Sequence, residues 1–367
     1  MRKKAAPLLA ALALLLTLEA CAMPKNPELP VPEPQTETTQ APEEAAETEP
    51  AELPPETTEP ETTETEPQEE RFLLTFAGDC TFGTQVENYY AGLCFPKTVG
   101  EDYGYPFRNV RDIFAKDDLT IVNLEGPLCE DGPHKSSGHV FHGPTAYTEI
   151  LTQGSVEAVT IANNHTMDYG KAGYESTKNA LDEAGIPFVE RDSTRLISTE
   201  SGLKIGLYGM VYYLLDVEKM TEGIQELQNQ GADLIIVMPH WGVEKTYFPT
   251  KEQMDVGHAA IDAGADLVVG SHPHCLQPME PYGNGLIFYS LGNFSFGGHT
   301  NPEDYDTVII QQEIIRDLDG NVRLGETTMI PTCVSSIEGR NNYQPTPYEA
   351  GSEGYERCLQ KLRWEIP

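Results

Sequence analysis

The fold class is decided by the stretch Ala265-Asp266-Leu267-Val268-Val269-Gly270-Ser271-His272-Pro273-His274. Its first half is a short, branched apolar run bounded by glycines, which predicts a buried β-strand. His272 and His274 follow the carboxyl end of that strand. Because alternate side chains of an extended segment point the same way, we expect both imidazoles to face one pocket. This spacing suits a site for two metal ions, but two solvated loop histidines would show the same spacing, so other residues must decide.

Apolar runs that predict buried strands recur along the chain, and helix-like stretches lie between them. The runs cover residues 72–76, 119–123, 156–162, 203–210, 234–238, 265–269 and 286–290. The helix-like stretches cover residues 171–184, 217–230 and 251–263. Strands that alternate with helices predict parallel pairing, with the helices outside the sheets. Residues 307–315 and 322–330 then form a hairpin-like pair, which predicts an antiparallel sheet edge.

Ligand-type side chains follow the carboxyl ends of most of these predicted strands. They are Asp79, Glu125, Asn164, His165, His240, His272 and His274. Asp and Asn also make turns and cap helices, so one such residue would mean little. Five successive strand ends that each deliver a ligand are hard to explain as turn chemistry, because loops gather into a site at this edge of an α/β sheet. Carboxylate, amide and imidazole donors together suit Zn, Mn or Fe rather than calcium.

Six motif blocks occur in order along the same part of the chain. They are Phe76-Ala77-Gly78-Asp79; Val122-Asn123-Leu124-Glu125-Gly126-Pro127-Leu128; Ala162-Asn163-Asn164-His165 through Asp168-Tyr169-Gly170; Pro239-His240-Trp241-Gly242-Val243-Glu244; Gly270 through Gln277; and Tyr289-Ser290-Leu291-Gly292-Asn293-Phe294. From Phe72 to Ile330 the chain resembles the CapA family of poly-γ-glutamate capsule biosynthesis proteins, within the calcineurin-like metallophosphoesterase superfamily. The resemblance implies an α/β fold of the metallo-dependent phosphatase type, a four-layer α/β/β/α sandwich.

The resemblance also implies a ligand set for one or two divalent ions, Mn, Zn or Fe. Glu125 would bridge the two metals. The first metal would be bound by Asp79 and His274, and the second by Asn164, His240 and His272. The chain departs from the superfamily pattern at two positions. Thr81 stands where the first motif has a histidine, and Glu125 stands where the bridging residue is usually an aspartate. The first metal therefore lacks one donor.

The same pattern would make His165 the group that protonates the leaving group. Asp168, three residues later, would then hold the imidazole in the right tautomer, or would cap the helix that begins near Gly170. Four further residues are candidates for contacts with substrate or with the ligands: Asn123, Glu244, Asn293 and His142. Three of them also have an ordinary explanation: Asn293 as a turn residue, and Glu244 and His142 as solvated loop side chains.

The first 70 residues differ from the rest of the chain. Residues 1–20 have a basic start, an apolar centre and small residues before Cys21, which predicts a secretory signal peptide. Leu18-Glu19-Ala20-Cys21 resembles a bacterial lipobox, so we expect a lipid on Cys21; a secreted soluble protein and an uncleaved anchor are the alternatives. Residues 22–70 are rich in Pro, Glu and Thr, which predicts a disordered linker. Residues 71–338 would form the domain and residues 339–367 a C-terminal tail.

The composition and the resemblance together predict a location and a class of partner. The chain has a net charge of −34 and its sequence has no basic stripe, which argues against nucleic acid as a partner. We expect a lipid-anchored protein on the extracytoplasmic face of the cell membrane. The resemblance implies phosphoester hydrolysis in the synthesis, export or anchoring of an anionic polymer such as poly-γ-glutamate, beside membrane proteins of capsule synthesis. The alternative is a non-catalytic, metal-braced accessory subunit that binds the polymer.

Overall fold

The computed structural model describes residues 68–85 and 93–365 of the chain. The predicted signal peptide, the predicted lipidation site Cys21 and nearly all of the predicted linker lie outside these ranges. Among the described helices, none combines the length and the apolar character that a membrane span needs.

Two mixed β-sheets form the centre of the described part of the chain. In spatial order, the first sheet contains β14 (Thr346–Pro347), β13 (Val322–Cys333), β12 (Asp306–Arg316), β1 (Glu70–Thr81), β2 (Leu119–Leu124), β3 (Ala158–Thr160) and β4 (Phe188–Val189), with β11 (Asn293–Phe296) also paired to β1. The second sheet contains β5 (Ser193–Ser198), β6 (Lys204–Val211), β7 (Leu234–His240), β8 (Leu267–Val269), β10 (Gly285–Leu291) and β9 (Leu276–Tyr282). In the first sheet, β1 to β4 pair in parallel as far as the β4 edge, and β12, β13 and β14 form antiparallel pairs on the other side of β1. In the second sheet, parallel pairs occupy the middle and antiparallel pairs lie at both edges. The parallel pairing confirms what the alternation of strands and helices predicts.

Seven α-helices in the described ranges cover the outer faces of the sheets and one end of the space between them. They are α1 (Phe95–Val99), α2 (Arg111–Phe114), α3 (Thr148–Gln153), α4 (Gly170–Glu183), α5 (Val217–Asn229), α6 (Lys251–Asp262) and α7 (Glu353–Leu362). One apolar core fills the space between the sheets, with Phe76 from the first sheet and Leu207 from the second among its members. Separate cores pack α1 to α3 on the first sheet and α5 and α6 on the second. The predicted four-layer sandwich is therefore confirmed.

A repeated join carries the chain from helix to strand in the second sheet. Gly231 and Gly264 follow α5 and α6 with φ of 78° and 107°, a left-handed conformation that glycine adopts without strain. The aspartate two residues later ties the new strand to the sheet: Asp233 accepts the backbone N–H of Lys204, and Asp266 accepts that of Ile235. These joins bring β7 and β8 out in parallel, with their carboxyl ends at the same edge.

The last part of the chain contributes to the fold, although its sequence predicts only a tail. Strand β14 pairs with β13, and the buried side chains of Cys358 and Leu362 on α7 complete the core between the sheets. Lys361, which is also buried, lies 2.7 Å from Asp304 and 2.8 Å from Asp306. An ion pair of this kind depends on a residue more than fifty positions away, so local sequence patterns cannot predict it.

Candidate metal centre

The carboxyl ends of the parallel strands in both sheets bring the predicted ligands together. Asp79 lies near the end of β1, and Glu125 directly follows β2. In the second sheet, His240 is the last residue of β7 and His272 comes three residues after β8. Gly78 permits this arrangement, because a Cβ there would lie 2.0 Å from the carbonyl oxygen of Gly292. The Gly292 carbonyl instead accepts the N–H of Asp79 at 2.9 Å.

His272 and His274 share one pocket, but not because the segment that carries them is extended. His272 has φ of 96° and His274 has φ of 56°, so the backbone is left-handed at both residues. Their rings lie 6.0 Å apart between centroids. The expectation from strand alternation is wrong in its cause: β8 ends at Val269, and the two rings meet through a turn. Left-handed backbone at residues other than glycine is costly and is found at functional sites.

Asp79 is fully buried and held by hydrogen bonds on both carboxylate oxygens. Its Oδ1 accepts the side-chain N–H of Asn123 at 2.8 Å, and the carbonyl oxygen of Asn123 accepts the Asn163 amide at 3.1 Å. Its Oδ2 accepts the backbone N–H of His272 at 3.3 Å and lies 3.4 Å from Nδ1 of His274. These contacts fix the carboxylate before any ligand binds.

Glu125 is the least satisfied polar group of the cluster. Its side chain is buried, and neither carboxylate oxygen has a hydrogen-bond partner among the described residues. Oε1 instead faces three imidazole nitrogens, at 3.7 Å from His240, 3.8 Å from His274 and 3.9 Å from His165. Burial raises the pKa of Glu125 well above that of an ordinary carboxyl group. A buried carboxylate without a donor is costly, and a cation at this position would relieve the cost.

Nε2 of His240 lies close to two atoms that can each present a lone pair, and a single proton cannot form a hydrogen bond with both. Its Nε2 lies 2.9 Å from Oδ1 of Asn164 and 3.1 Å from Nδ1 of His272. Its Nδ1 lies 2.9 Å from the hydroxyl oxygen of Ser271, which leaves Nε2 free to present a lone pair. Burial, with the neighbouring His272 and His274, holds the pKa of His240 well below its ordinary value. Burial likewise lowers the pKa of His272 to about 4. Neutral imidazoles that share a focus with an amide oxygen suit a metal ion.

His274 behaves differently from its neighbours because it lies between two carboxylates. Burial opposes its protonation, but the charges of Glu125 and Asp79 outweigh burial and raise the pKa of His274. Asn293 orients the ring, with Oδ1 at 2.9 Å from Nδ1 of His274. A protonated His274 supplies positive charge between Asp79 and Glu125. A divalent cation held by these three residues would displace that proton, because metal ligands bind in their deprotonated form.

His165 and Asp168 form a buried pair at the edge of the cluster. Nδ1 of His165 lies 2.8 Å from Oδ2 of Asp168. Asp168 also accepts the backbone N–H of Phe141 at 2.8 Å and pairs with Lys135. The N-cap of α4 is Tyr169, whose side chain makes no capping hydrogen bond, so Asp168 does not cap the helix. Burial lowers the pKa of His165 while Asp168 opposes that shift.

Two groups of three donors could each hold an ion, and both include His274. The buried group is Asp79, Glu125 and His274, and the outer group is Glu244, His272 and His274. Within each group the donor atoms all lie within 4.8 Å of one another. A cavity of about 410 Å³ opens beside them, with His165, Glu244, His274 and Asn293 in its wall. The cluster is therefore open to a small molecule on one side.

Of the four remaining predicted residues, three lie at the cluster and one does not. Asn123 contacts Asp79, and Asn293 contacts His274, so each contacts a residue that the sequence predicts as a ligand. Glu244 lies in the outer donor group. His142 lies elsewhere: its ring packs on Tyr169 at 4.4 Å, and its Nδ1 lies 3.1 Å from the carbonyl oxygen of Cys129. The preceding residue, Phe141, turns its ring to His165 and takes the place in the cavity wall that the sequence suggests for His142.

Several contributors to the cluster are not singled out by the sequence. Ser271 and Asn163 contact His240 and Asn123, and both stand inside motif blocks next to predicted ligands. Lys135 pairs with Asp168, and Tyr212 stacks on His272 with ring centroids 4.7 Å apart. Lys135 and Tyr212 both lie outside the six motif blocks, so no motif could have identified them.

Comparison with known proteins identifies relatives over most of the described domain. Residues 73–298 match the family described as "Bacterial capsule synthesis protein PGA_cap". The chain is 29% identical over 295 residues to the PGA biosynthesis protein CapA of Bacillus subtilis, a match that covers 72% of this chain and 74% of that protein. It is 29% identical over 268 residues to the capsule biosynthesis protein CapA of Bacillus anthracis, covering 65% of this chain and 63% of that protein.

Solved structures with a similar arrangement are more distant. A 5'-nucleotidase precursor from Thermus thermophilus aligns with a TM-score of 0.42 at 13% identity, over 71% of this chain and 54% of that one. A purple acid phosphatase from yellow lupin seeds aligns with a TM-score of 0.34 at 11% identity, over 78% of this chain and 58% of that one. Similarity at this level transfers neither an activity nor a ligand.

Proposed function

We propose, from the premise that this chain belongs to the PGA_cap family of bacterial capsule synthesis proteins, that it is a metal-dependent phosphoester hydrolase. The proposed role is in the synthesis, export or anchoring of a polymer like poly-γ-glutamate. The two CapA relatives carry capsule or PGA biosynthesis in their names, which supports the polymer class. The hydrolase rests on the cluster itself, because a fold does not determine a reaction.

The observation that supports the hydrolase most strongly is the environment of Glu125. A buried carboxylate with no hydrogen-bond donor among the described residues faces three imidazole nitrogens at 3.7 to 3.9 Å. A core residue selected for stability alone would have a donor, because an unsatisfied buried carboxylate is costly. Carboxylate and imidazole donors with a carboxamide fit Mn, Zn or Fe. A cation bound here would supply Lewis acidity, lowering the pKa of water and neutralising charge on the phosphoryl group.

The chain's own residues would orient the reacting groups and move one proton. Asn123 and the backbone N–H of His272 hold Asp79 still, so the site needs little rearrangement. Asp168 would accept a hydrogen bond from Nδ1–H of His165. Nε2 of His165 then faces Glu125 and the cavity. When protonated at Nε2, His165 would donate that proton to the leaving oxygen. The cavity of about 410 Å³ is large enough for a phosphoester group but not for a folded partner.

The location that we propose is the extracytoplasmic face of the cell membrane. The lipobox-like stretch before Cys21 supports a lipid anchor, and the Pro, Glu and Thr-rich residues 22–70 support an extended tether. The partners would be an anionic polymer or its phosphoester-linked precursor, and membrane proteins of capsule synthesis. Labelling with a radioactive fatty acid tests the anchor, since Cys21→Ser is expected to lose the label and to leave the membrane fraction.

Metal loading and turnover test the hydrolase directly. The full chain is stripped with a chelator, reloaded with Mn²⁺, Zn²⁺ or Fe²⁺, and mixed with bis(p-nitrophenyl) phosphate. We expect hydrolysis with at least one of these metals and none in the stripped protein, because no other group of the cluster supplies Lewis acidity. A loaded protein that turns over no phosphoester with any of the three metals would contradict the hydrolase.

A second candidate function is a non-catalytic accessory subunit in which a single ion braces the polymer-binding surface. Thr81 favours it, because this residue replaces a histidine of the superfamily and its buried hydroxyl has no hydrogen-bond partner among the described residues. One equivalent of metal without turnover, together with binding of poly-γ-glutamate to the loaded protein, would select this function over hydrolysis.

A further inference from the structure

The outer donor group contains a carboxylate that the superfamily pattern does not use. Glu244 lies four residues after His240, and its carboxylate oxygen falls within 4.8 Å of ring nitrogens of His272 and His274. We propose that Glu244 is itself a metal ligand, binding a divalent cation together with His272 and His274. This inference rests on the proposed metal centre and extends it by one ligand.

The buried donor group has no donor beyond the minimum, so a further carboxylate nearby would strengthen the centre. Asp79, Glu125 and His274 offer three donors, which is the smallest number that protein sites for Zn or Mn usually supply, with further positions filled by other ligands. Thr81 stands two residues after Asp79, where an imidazole would provide another donor. Its hydroxyl is a weak ligand by comparison. Glu244 places a negative charge on the open side of His274, the histidine that both donor groups share, and so offsets this loss.

The loop that carries Glu244 is tied to the loop that carries the histidines. Lys245 donates its backbone N–H to the carbonyl oxygen of Pro273 at 2.8 Å, between His272 and His274. The side chain of Gln277 donates to the carbonyl oxygen of Thr246 at 2.6 Å. Lys245 has φ of 60°, so the chain turns sharply next to Glu244. Glu244 is exposed, but its backbone is therefore held in register with the two imidazoles.

The carboxylate of Glu244 is not engaged by any other side chain in residues 68–85 and 93–365, whereas a second carboxylate of the same cavity is. Glu303 also lines the cavity, and it pairs with the Nζ of Lys245 at 2.6 Å. A carboxylate that lies beside two imidazoles, while the adjacent Lys245 pairs with Glu303, is placed to bind an added cation. Glu303 thus provides a matched control for charge and exposure.

Metal counting on the full chain tests the inference. Metal-free wild-type, Glu244→Gln and Glu303→Gln proteins are titrated with Mn²⁺, and free Mn²⁺ is followed by electron paramagnetic resonance, with bound metal counted by elemental analysis. We expect Glu244→Gln to bind one ion fewer or to weaken one site by at least about tenfold, since even an indirect partner of a ligand has an effect of that size. Glu303→Gln is expected to bind as the wild type does.

The outcomes separate this inference from the proposed function. Unchanged stoichiometry and affinity in Glu244→Gln, in a wild-type protein that binds metal, would overturn the role of Glu244 and leave the metal centre standing. The same result with a raised KM for a phosphodiester would assign Glu244 to the substrate and would equally overturn it as a ligand. A wild-type protein that binds no Mn²⁺ would overturn both. Circular dichroism checks that the exposed substitution leaves the fold intact.

Discussion

Glu125→Gln is expected to abolish the stabilisation of this protein by divalent metal. In the wild type, metal at one hundred times its dissociation constant should raise the free energy of unfolding by about 2.7 kcal/mol. In the variant the gain should vanish, because the amide oxygen is a neutral and weaker donor than the carboxylate at the centre of the cluster. Thermal unfolding with and without Mn²⁺ measures the difference.

Without metal, the same substitution should not lower the free energy of unfolding. Glu125 is buried and lacks a hydrogen-bond donor among the described residues, so the wild type carries the cost of that carboxylate, on the order of 1–3 kcal/mol. A glutamine removes the charge and brings an N–H that can donate to a neighbouring imidazole. We therefore expect metal-free Glu125→Gln to be at least as stable as the metal-free wild type.

A matched variant separates this effect from a general response to losing a carboxylate. Glu157 is an exposed residue directly before β3, and its carboxylate accepts the N–H of Thr120 at 2.8 Å at the opposite end of the strands. Glu157→Gln should retain the full response to metal. Stabilisation of Glu125→Gln by Mn²⁺ equal to that of the wild type would contradict a role for Glu125 at the metal.

His165→Ala is expected to lower kcat for a phosphodiester by about 10²- to 10⁴-fold, the usual contribution of a positioned acid. Metal content should stay at the wild-type level, because His165 belongs to neither group of donors that could hold an ion. The reason is the loss of a proton donor, and a substrate with a more acidic leaving group should be affected less. Steady-state kinetics with two leaving groups, alongside elemental analysis, measures both expectations.

A second histidine provides the comparison for His165. His258 lies on α6, away from the cavity, and its Nε2 lies 3.1 Å from Glu280. His258→Ala should keep wild-type kinetics, which excludes a general effect of removing an imidazole. If His165→Ala hydrolysed both substrates at the wild-type rate, His165 would have no part in the proton transfer.

The sequence predicted the layers of the fold because the pattern that predicts them is local. Short apolar runs become β1, β2 and β7, and the helix-like stretches become α4, α5 and α6 within one or two residues. The third run is shorter than predicted, since β3 covers only Ala158–Thr160. Short strands such as β4, β5 and β11 have no apolar run of their own. They form because a neighbouring strand supplies the hydrogen bonds, which a single segment does not reveal.

The candidate site was also predictable in its composition but not in its construction. Ligand-type residues after strand ends point to one edge of the sheets, which is where Asp79 and His240 lie. The left-handed backbone at His272 and His274 was not predictable, because neither residue is a glycine and most such residues avoid it. It depends on contacts with other loops, such as the bond from the N–H of Lys245 to Pro273. The same holds for α7, whose place in the core depends on strands distant in sequence.

Anomalous diffraction from crystals of the full chain grown with Mn²⁺ is the most direct test of the metal centre. The proposal predicts a manganese peak within coordinating distance of Glu125, among Asp79, His240, His272 and His274. Data collected on both sides of the manganese edge identify the element at that peak. A map with no manganese peak among these residues, although Mn²⁺ was present throughout growth, would contradict the proposal that this cluster binds metal.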